Sequence, residues 1–255
     1  MNWLRYWNII LYRTYAELKS EAQLNYMGYA WWLLEPLFNT LIFYTLLVVV
    51  MQQSTVGATT FLLVGTVTWQ WFNGVTVGSA NSIFDAGSML KFIYLPKIVM
   101  PLIAILAHTW KFLFLFILLL IWCWCSGKPP SLAYLALPLI MVLQLATILS
   151  VSLPIAAAIP YFPDARLGVD ALLRPLMLIS GIFFSVSQIP VAYHVYFYLN
   201  PMAVLIESYR NVLLEGVWPN WYRLAYVGLF STVLILIALR IYKKIDLTVV
   251  KSIHR

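Results

Sequence analysis

Residues 181–221 read GIFFSVSQIPVAYHVYFYLNPMAVLIESYRNVLLEGVWPNW. The stretch is aromatic and apolar and lies between two long apolar runs. Pro190 and Pro201 nevertheless cut it into pieces too short to cross a bilayer. Proline lacks a backbone N–H and clashes with the preceding turn, so a helix ends or kinks there. Glu207, Arg210 and Glu215 add charges that are costly against lipid. The pattern predicts re-entrant helices over 187–222, two short segments that dip into one membrane face and turn back. Broken backbone at that depth is tolerated only inside protein or beside a water-filled path, so a polar-lined path is expected nearby. An amphipathic loop lying on the surface is the plainer alternative, and spacing alone does not separate the two.

Composition places the rest in a membrane. Of 255 residues, 63% are hydrophobic and only 10% charged, far from an ordinary soluble domain. Apolar runs of eighteen or more residues read as transmembrane helices. The first residues are polar and aromatic rather than basic-then-apolar, so no cleavable signal peptide is expected. The net charge of +7 would suit nucleic acid, but the positive residues sit at the ends of spans. The topology rule explains them better, and no nucleic-acid partner is expected.

Working outward from 181–221, the expectation is an all-α polytopic membrane protein with six spans in one domain, 1–255. The sixth span runs roughly Leu224 to Tyr242, before a tail with Lys243, Lys244, Lys251 and Arg255. The fifth runs Ala171 to Val186, and on it Met177, Gly181, Phe184 and Gln188 share a face. The charged loop Pro163 to Pro175 precedes it. The fourth, Leu132 to Tyr161, is loosened by Pro138 and Pro154, and follows the turn SGKPPS. The third, Ile98 to Cys125, carries His108 and Lys111 on one face; a mid-span lysine must face protein or water, and Glu35 is a possible partner. Cys123 and Cys125 diverge on a helix and read as packing residues, not as a metal or redox motif.

The second span is Thr60 to Ala80 and the first is Trp31 to Met51, where Trp31, Glu35, Phe38, Ile42 and Thr45 share a face. A carboxylate there avoids lipid, so the face points into the bundle or a channel. Residues 1–26 alternate Trp3, Leu4, Trp7, Ile10, Leu11 and Tyr15 with Arg13, Glu17 and Glu21 at helical spacing. This pattern predicts an amphipathic helix lying in the membrane interface, with a simple anchor as the bland reading. Between the second and third spans, residues 82–97 carry a short apolar patch (Met89, Leu90, Phe92, Ile93, Tyr94) flanked by Lys91 and Lys97 and stopped by Pro96. A helix of this kind docks into a partner's groove; a plain turn is the alternative.

Charge fixes the orientation. Arg5, Arg13, Lys19, Lys91, Lys97, Arg166, Arg174, Arg240, Lys243, Lys244, Lys251 and Arg255 fall on one side, and Lys128, Arg210 and Arg223 on the other. Both termini are expected in the cytoplasm, with 187–222 outside.

The segments MGYAWWLLEPL (27–37), SIFDAGSMLKFIYLPKIVMP (82–101), YFPDARLG (161–168) and GIFFSVSQIP…NPMAVLIESYRNVLLEG resemble the permease subunits of type-2 ABC exporters of bacterial polysaccharides. The resemblance covers nearly the whole chain and is closest to O-antigen permeases, then to capsule and teichoic-acid relatives. Pro163 departs from the family, which often has arginine before the aspartate matched by Asp164. The resemblance implies a homodimer in the bacterial inner membrane on two separate ATPase subunits, moving a lipid-linked polysaccharide. It implies no cofactor on this chain, with ATP and Mg on the partner. The sequence agrees in having no GxxxxGK[ST] run. The coupling helix then comprises Asp85, Met89, Leu90, Phe92, Tyr94 and Pro96. Trp7, Leu11 and Tyr15 belong to the cytoplasmic gate helix, and Pro190, Asn200, Pro201 and Arg210 to the outer gate. Trp31, Glu35, Phe38, Met177 and Phe184 are the candidate substrate path, where rings stack on sugar faces. A membrane-embedded glycan or acyl transferase fits less well, because His108, His194 and His254 are scattered and no carboxylate pair has metal spacing. A secondary transporter would show broken helices in both halves.

Overall fold

The computed structural model describes residues 3–24, 28–50, 52, 57–85 and 96–253. Among them every regular element is helical. The elements are α1 (Trp3–Leu24), α2 (Ala30–Tyr44, continued as a π-helix to Val50), α3 (Ala58–Asp85), α4 (Val99–Cys125), α5 (Leu137–Ala158, preceded by the 3-10 turn Leu132–Ala136), α6 (Ala165–Ile179), α7 (His194–Leu199), α8 (Pro201–Arg210) and α9 (Trp221–Ile253). Among the described residues four stretches are long and apolar enough to cross a membrane: Ala30–Val50, Val99–Cys125, Leu132–Ala158 and Trp221–Lys243.

The fifth long helix, α3, is about 42 Å by its rise but rich in Thr, Ser, Asn and Gly. Its position accounts for that. It is the central helix of the bundle, and its Thr66, Thr68 and Thr76 hydroxyls are buried and bonded. Thr68 and Thr76 donate to the carbonyls of Val64 and Phe72, both at 2.7 Å, and Thr66 meets Thr40 of α2 at 3.1 Å. Gln144 of α5 donates to the Thr68 carbonyl at 2.8 Å. Small and hydroxylated residues let membrane helices approach closely and bond across the gap. A helix surrounded by protein has no need to be apolar toward lipid.

α3 and α4 are antiparallel neighbours. The Trp122 indole donates to Thr60 at one end, Trp71 stacks on Phe112 at 4.0 Å near the middle, and Ile83 packs with Val99 at the other end. The far turn of the chain returns to that last end, where the Arg166 guanidinium lies 3.7 Å over the Phe84 ring. α5 and α9 run the same way, joined by Thr147 to Ser231 at 3.0 Å and by the Tyr242 hydroxyl on the Leu153 carbonyl at 3.1 Å. Pro138 sits in the first turn of α5, where its missing N–H costs nothing, so it starts the helix rather than loosening it.

Two stretches differ from the sequence reading. The expected fifth span, Ala171 to Val186, begins earlier and ends sooner. α6 covers Ala165–Ile179 and stops at Gly181, whose φ is +74°. At that conformation a side chain is strained, and a Cβ would lie 2.8 Å from Phe197. Met177, Gly181, Phe184 and Gln188 therefore share no helical face.

The second difference is α1. Ile10 is buried against Val99, Met100 and Ile103, while Glu21 forms an ion pair with Lys111. α1 thus climbs alongside α4 in the same direction, about 16 Å between those contacts by helical rise. α2 then starts beside the middle of α4, with the Trp32 ring 6.4 Å from Phe114. Lys111 is paired with Glu21 of α1, not with Glu35 as the sequence suggested, although α2 reaches the same level of α4 and its Trp32 ring lies 5.4 Å from the Lys111 Nζ.

Candidate functional site

The broken segment is built by local chemistry that the sequence displays. Asn200 caps α8: its side-chain oxygen accepts from the Met202 N–H at 3.0 Å, and Pro201 occupies the first turn. The Asn200 amide also donates to Ser180 Oγ at 2.9 Å, tying the start of α8 to the end of α6. Arg210 then reaches back from the end of α8. Its guanidinium donates to the carbonyls of Gly181, Ile182 (2.7 Å) and Phe61 (3.2 Å) and stacks 3.3 Å over the Phe61 ring. A helix C-terminus leaves carbonyls unpaired and partly negative. The buried arginine, 7% exposed, supplies donors and charge to carbonyls just beyond the end of α6.

A second clamp lies at the rim. Glu207 accepts from the Tyr198 hydroxyl at 2.9 Å and from Arg223 at 3.1 Å, and Arg223 lies 3.4 Å over the Tyr198 ring. α7, α8 and the start of α9 are held together by these three side chains. Burial, and then the bond to Glu207, push the Tyr198 phenol up to about 12, so it remains a donor at physiological pH. Pro190 is exposed, and Asn200 and Pro201 are half-buried. Of the four residues expected at the outer gate, Asn200, Pro201 and Arg210 thus share one bonded junction.

The path residues divide. Trp31, Glu35 and Phe38 form a continuous exposed face of α2, with Ile42 extending it; Trp31 and Phe38 are 45% and 49% exposed. Met177 is half-buried near the end of α6, and Phe184 lies beyond the break, 5.9 Å from Phe197. The contact between α2 and the break is made by Phe43 and Phe183, centroids 4.2 Å apart, which the sequence did not single out. Glu35 also lines a polar pocket of about 160 Å³ with Glu21, Gln70, Asn73, His108 and Lys111.

On α1 the proposed gate residues Trp7, Leu11 and Tyr15 form an exposed stripe beside the buried Ile10 and Thr14. Met89, Leu90, Phe92 and Tyr94 lie outside the described residues, as does the side chain of Asp85. Pro96 is buried just before α4. Among the described residues no group of three His, Cys, Asp or Glu is placed to hold a metal ion. Cys123 is buried and Cys125 exposed, as their divergence on α4 requires.

The ABC-2 type transporter family model matches residues 7–214, which takes in most of α1, the α2 face and the whole Asn200–Arg210 junction. The chain belongs to the ABC-2 type transporter family. This permease is 26% identical over 241 residues to the O-antigen export system permease protein RfbA of Myxococcus xanthus, covering 94% of this chain and 93% of the relative. It is 24% identical to the protein of the same name from Klebsiella pneumoniae, over 93% and 92% of the two chains. It is 30% identical to the polysialic acid transport protein KpsM of Escherichia coli, over 89% of each.

Proposed function

We propose that this chain is the membrane subunit of an exporter that moves a lipid-linked, O-antigen-type polysaccharide across the bacterial inner membrane. The observation that carries this is its end-to-end likeness to O-antigen export permeases, over 93–94% of the chain. A capsular polysaccharide is the second reading, favoured by the 30% identity to the polysialic acid protein.

In this reading α2 to α6 and α9 are the six spans, and both termini lie in the cytoplasm on the charge rule. Arg166 and Lys97 then mark the inner end of the bundle, and Arg210 and Arg223 the outer end. Two copies face each other through the exposed α2 surface, and the polymer runs between them past Trp31 and Phe38. Aromatic faces hold sugar rings weakly enough for a polymer to slide, since conduction requires sites that release as well as bind. α7 and α8 are re-entrant helices that narrow the outer exit, held by the Arg210 and Glu207 clamps. α1 is the gate helix, resting on α4 and exposing Trp7, Leu11 and Tyr15. Residues 82–97 take the stroke of two ATPase subunits, whose ATP hydrolysis supplies the energy.

The test is deletion of the gene together with the ATPase gene that serves it, followed by complementation. Both genes together restore polymer at the cell surface, and either alone leaves it inside. Normal surface polymer in the deletion strain would remove this function.

A further inference from the structure

α5 and α6 are consecutive helices joined by the turn 159–164, in which the Tyr161 and Phe162 N–H groups donate to the Ala158 carbonyl. They nevertheless splay apart. α6 leans on α3, with Arg166 over the Phe84 ring, and a cleft of about 560 Å³ separates it from α5. Phe72 and Thr76 of α3 form the floor. The cleft runs from Ala158 and Ala165 beside the turn to Pro201 and Met202 at the start of α8.

The walls exclude a polar occupant. The polar side chains among the described lining residues are Thr76, Thr147 and Asn200, and each is bonded within the protein. The Thr76 hydroxyl donates to the Phe72 carbonyl at 2.7 Å, and Thr147 donates to the Leu143 carbonyl at 2.9 Å and meets Ser231 at 3.0 Å. Asn200 donates to Ser180 and accepts from the Met202 N–H. A sugar or a peptide would lose its water here and gain no hydrogen bond in exchange. A hydrocarbon chain loses nothing, and it restores the contacts that an empty cleft denies its walls.

Length and charge narrow the choice. The cleft extends from Ala165 to Leu176 along α6 and from Thr147 to Ala158 along α5, about 16 Å on each by helical rise. One leaflet is half of a hydrocarbon core roughly 30 Å thick, so the cleft is as long as a chain confined to one leaflet. Its mouth is basic. Arg166 stands on the first turn of α6, and no carboxylate among the described residues is paired with it. The Thr147–Ser231 bond sets α9 beside α5, so the exposed Arg240 and Lys243 reach the level of Ala158. Asp164 and Asp170 offset two of these three cations, which leaves the mouth positive.

We infer that this cleft is a lipid site, which takes one acyl chain of an anionic phospholipid from the leaflet at the Arg166 end, with the phosphate beside Arg166, Arg240 and Lys243. That leaflet is the inner one in the orientation proposed above. The end of the chain abuts Pro201 and Met202, so an occupied cleft props the start of α8 and keeps α6 from closing on α5. The site rests on the cleft and on membership of a membrane transporter family, not on the polymer that is moved.

The test uses the purified permease–ATPase complex. Lipids retained from the membrane are identified by mass spectrometry, then stripped in detergent, and the complex is titrated with dioleoyl phosphatidylglycerol. Native mass spectrometry reads binding, and thermal unfolding reads Tm. Gly168→Phe fills the cleft: Gly168 lines it, and a Cβ there meets no atom within 4 Å. Replacing a helical glycine also favours the helix. The parent is expected to bind phosphatidylglycerol with a rise in Tm. Gly168→Phe is expected to bind it at least tenfold more weakly, with a lipid-free Tm equal to or above the parent's. Ala158→Phe, at the exposed mouth, replaces it should Gly168→Phe misfold. Arg166→Gln with Arg240→Gln is expected to lower the affinity to that for dioleoyl phosphatidylcholine. Undiminished binding by the cleft-filling variants overturns the site. A polyprenyl lipid retained by the parent and lost from Gly168→Phe overturns the occupant, and equal affinity of the parent for the two phospholipids overturns the phosphate contact. Binding is read without glycan or transport, so absence of export in cells would refute the export function and leave the lipid site standing.

Discussion

Arg210 shows how a charge in an apolar sequence can be a structural element. Among the described residues no carboxylate is bonded to it; its terminal nitrogens donate to three backbone carbonyls and its plane stacks on a ring, while its Nε is buried without a partner. Removing it strands those carbonyls, and each buried unsatisfied polar group costs about 1–3 kcal/mol. Arg210→Leu is therefore expected to lower the folded yield and the Tm of the purified permease by an amount consistent with about 3 kcal/mol or more. Arg210→Lys, with a point charge in place of the planar fork, recovers only part. Thermal unfolding of both variants in detergent checks this, and an unchanged Tm in Arg210→Leu would place the residue outside the structural junction. The sequence flagged Arg210 and the Asn200-Pro201 start by type, since a cap, a proline and a charge are local signals. It did not show that Arg210 closes the end of α6 beyond Gly181, because that contact joins segments 28 and 29 residues apart. Lys111 teaches the same point. Its need for a partner was readable from its place in an apolar run, but the choice of Glu21 over Glu35 depended on the direction in which α1 packs.

At the scale of elements, the helices with strong composition signals matched the sequence reading to within a few residues: Val99–Cys125 against Ile98 to Cys125, for example. α6 did not, because its apolar run continues past the helix end. Only the positive φ at Gly181 and the close Phe197 ring stop it. α1 was readable as amphipathic, and its polar residues Arg13, Glu17 and Ser20 are exposed along an open groove beside α3. α2 carries the element-scale prediction. Glu35→Ala and Phe38→Ala are expected to reduce export several-fold while membrane-inserted yield stays near that of the parent, since both side chains are exposed within one protomer. Surface polymer measured alongside folded protein separates a path role from a packing role, and normal export by both variants would take this face out of the mechanism. The segment 82–97 carries another. Phe92→Asp with Tyr94→Asp is expected to cost a few kcal/mol of ATPase binding, the range of aromatic hot spots. Co-purification of the ATPase with the double variant at the parental level would direct attention to the loop 163–174 instead.

For the whole molecule, the bundle has two chemically distinct ends. Phe84, Pro96 and Arg166 mark one, and Phe61, Gly181, Arg210 and Arg223 the other. A cysteine at Ser187, which is exposed, should react with an impermeant thiol reagent added outside intact spheroplasts, and one at Ser88 should react only after lysis. The reverse pattern would invert the orientation. The central claim, that this permease carries a polysaccharide under the power of a separate ATPase, is tested most directly in liposomes. The permease is reconstituted with its ATPase, and a radiolabelled lipid-linked glycan is supplied on the ATPase side. ATP is expected to make the glycan accessible to a glycosidase enclosed in the lumen, and neither the permease alone nor a complex given a non-hydrolysable ATP analogue should do so. Glycan that reaches the lumen equally without ATP hydrolysis, or that never reaches it while the complex hydrolyses ATP and remains intact, would contradict the account.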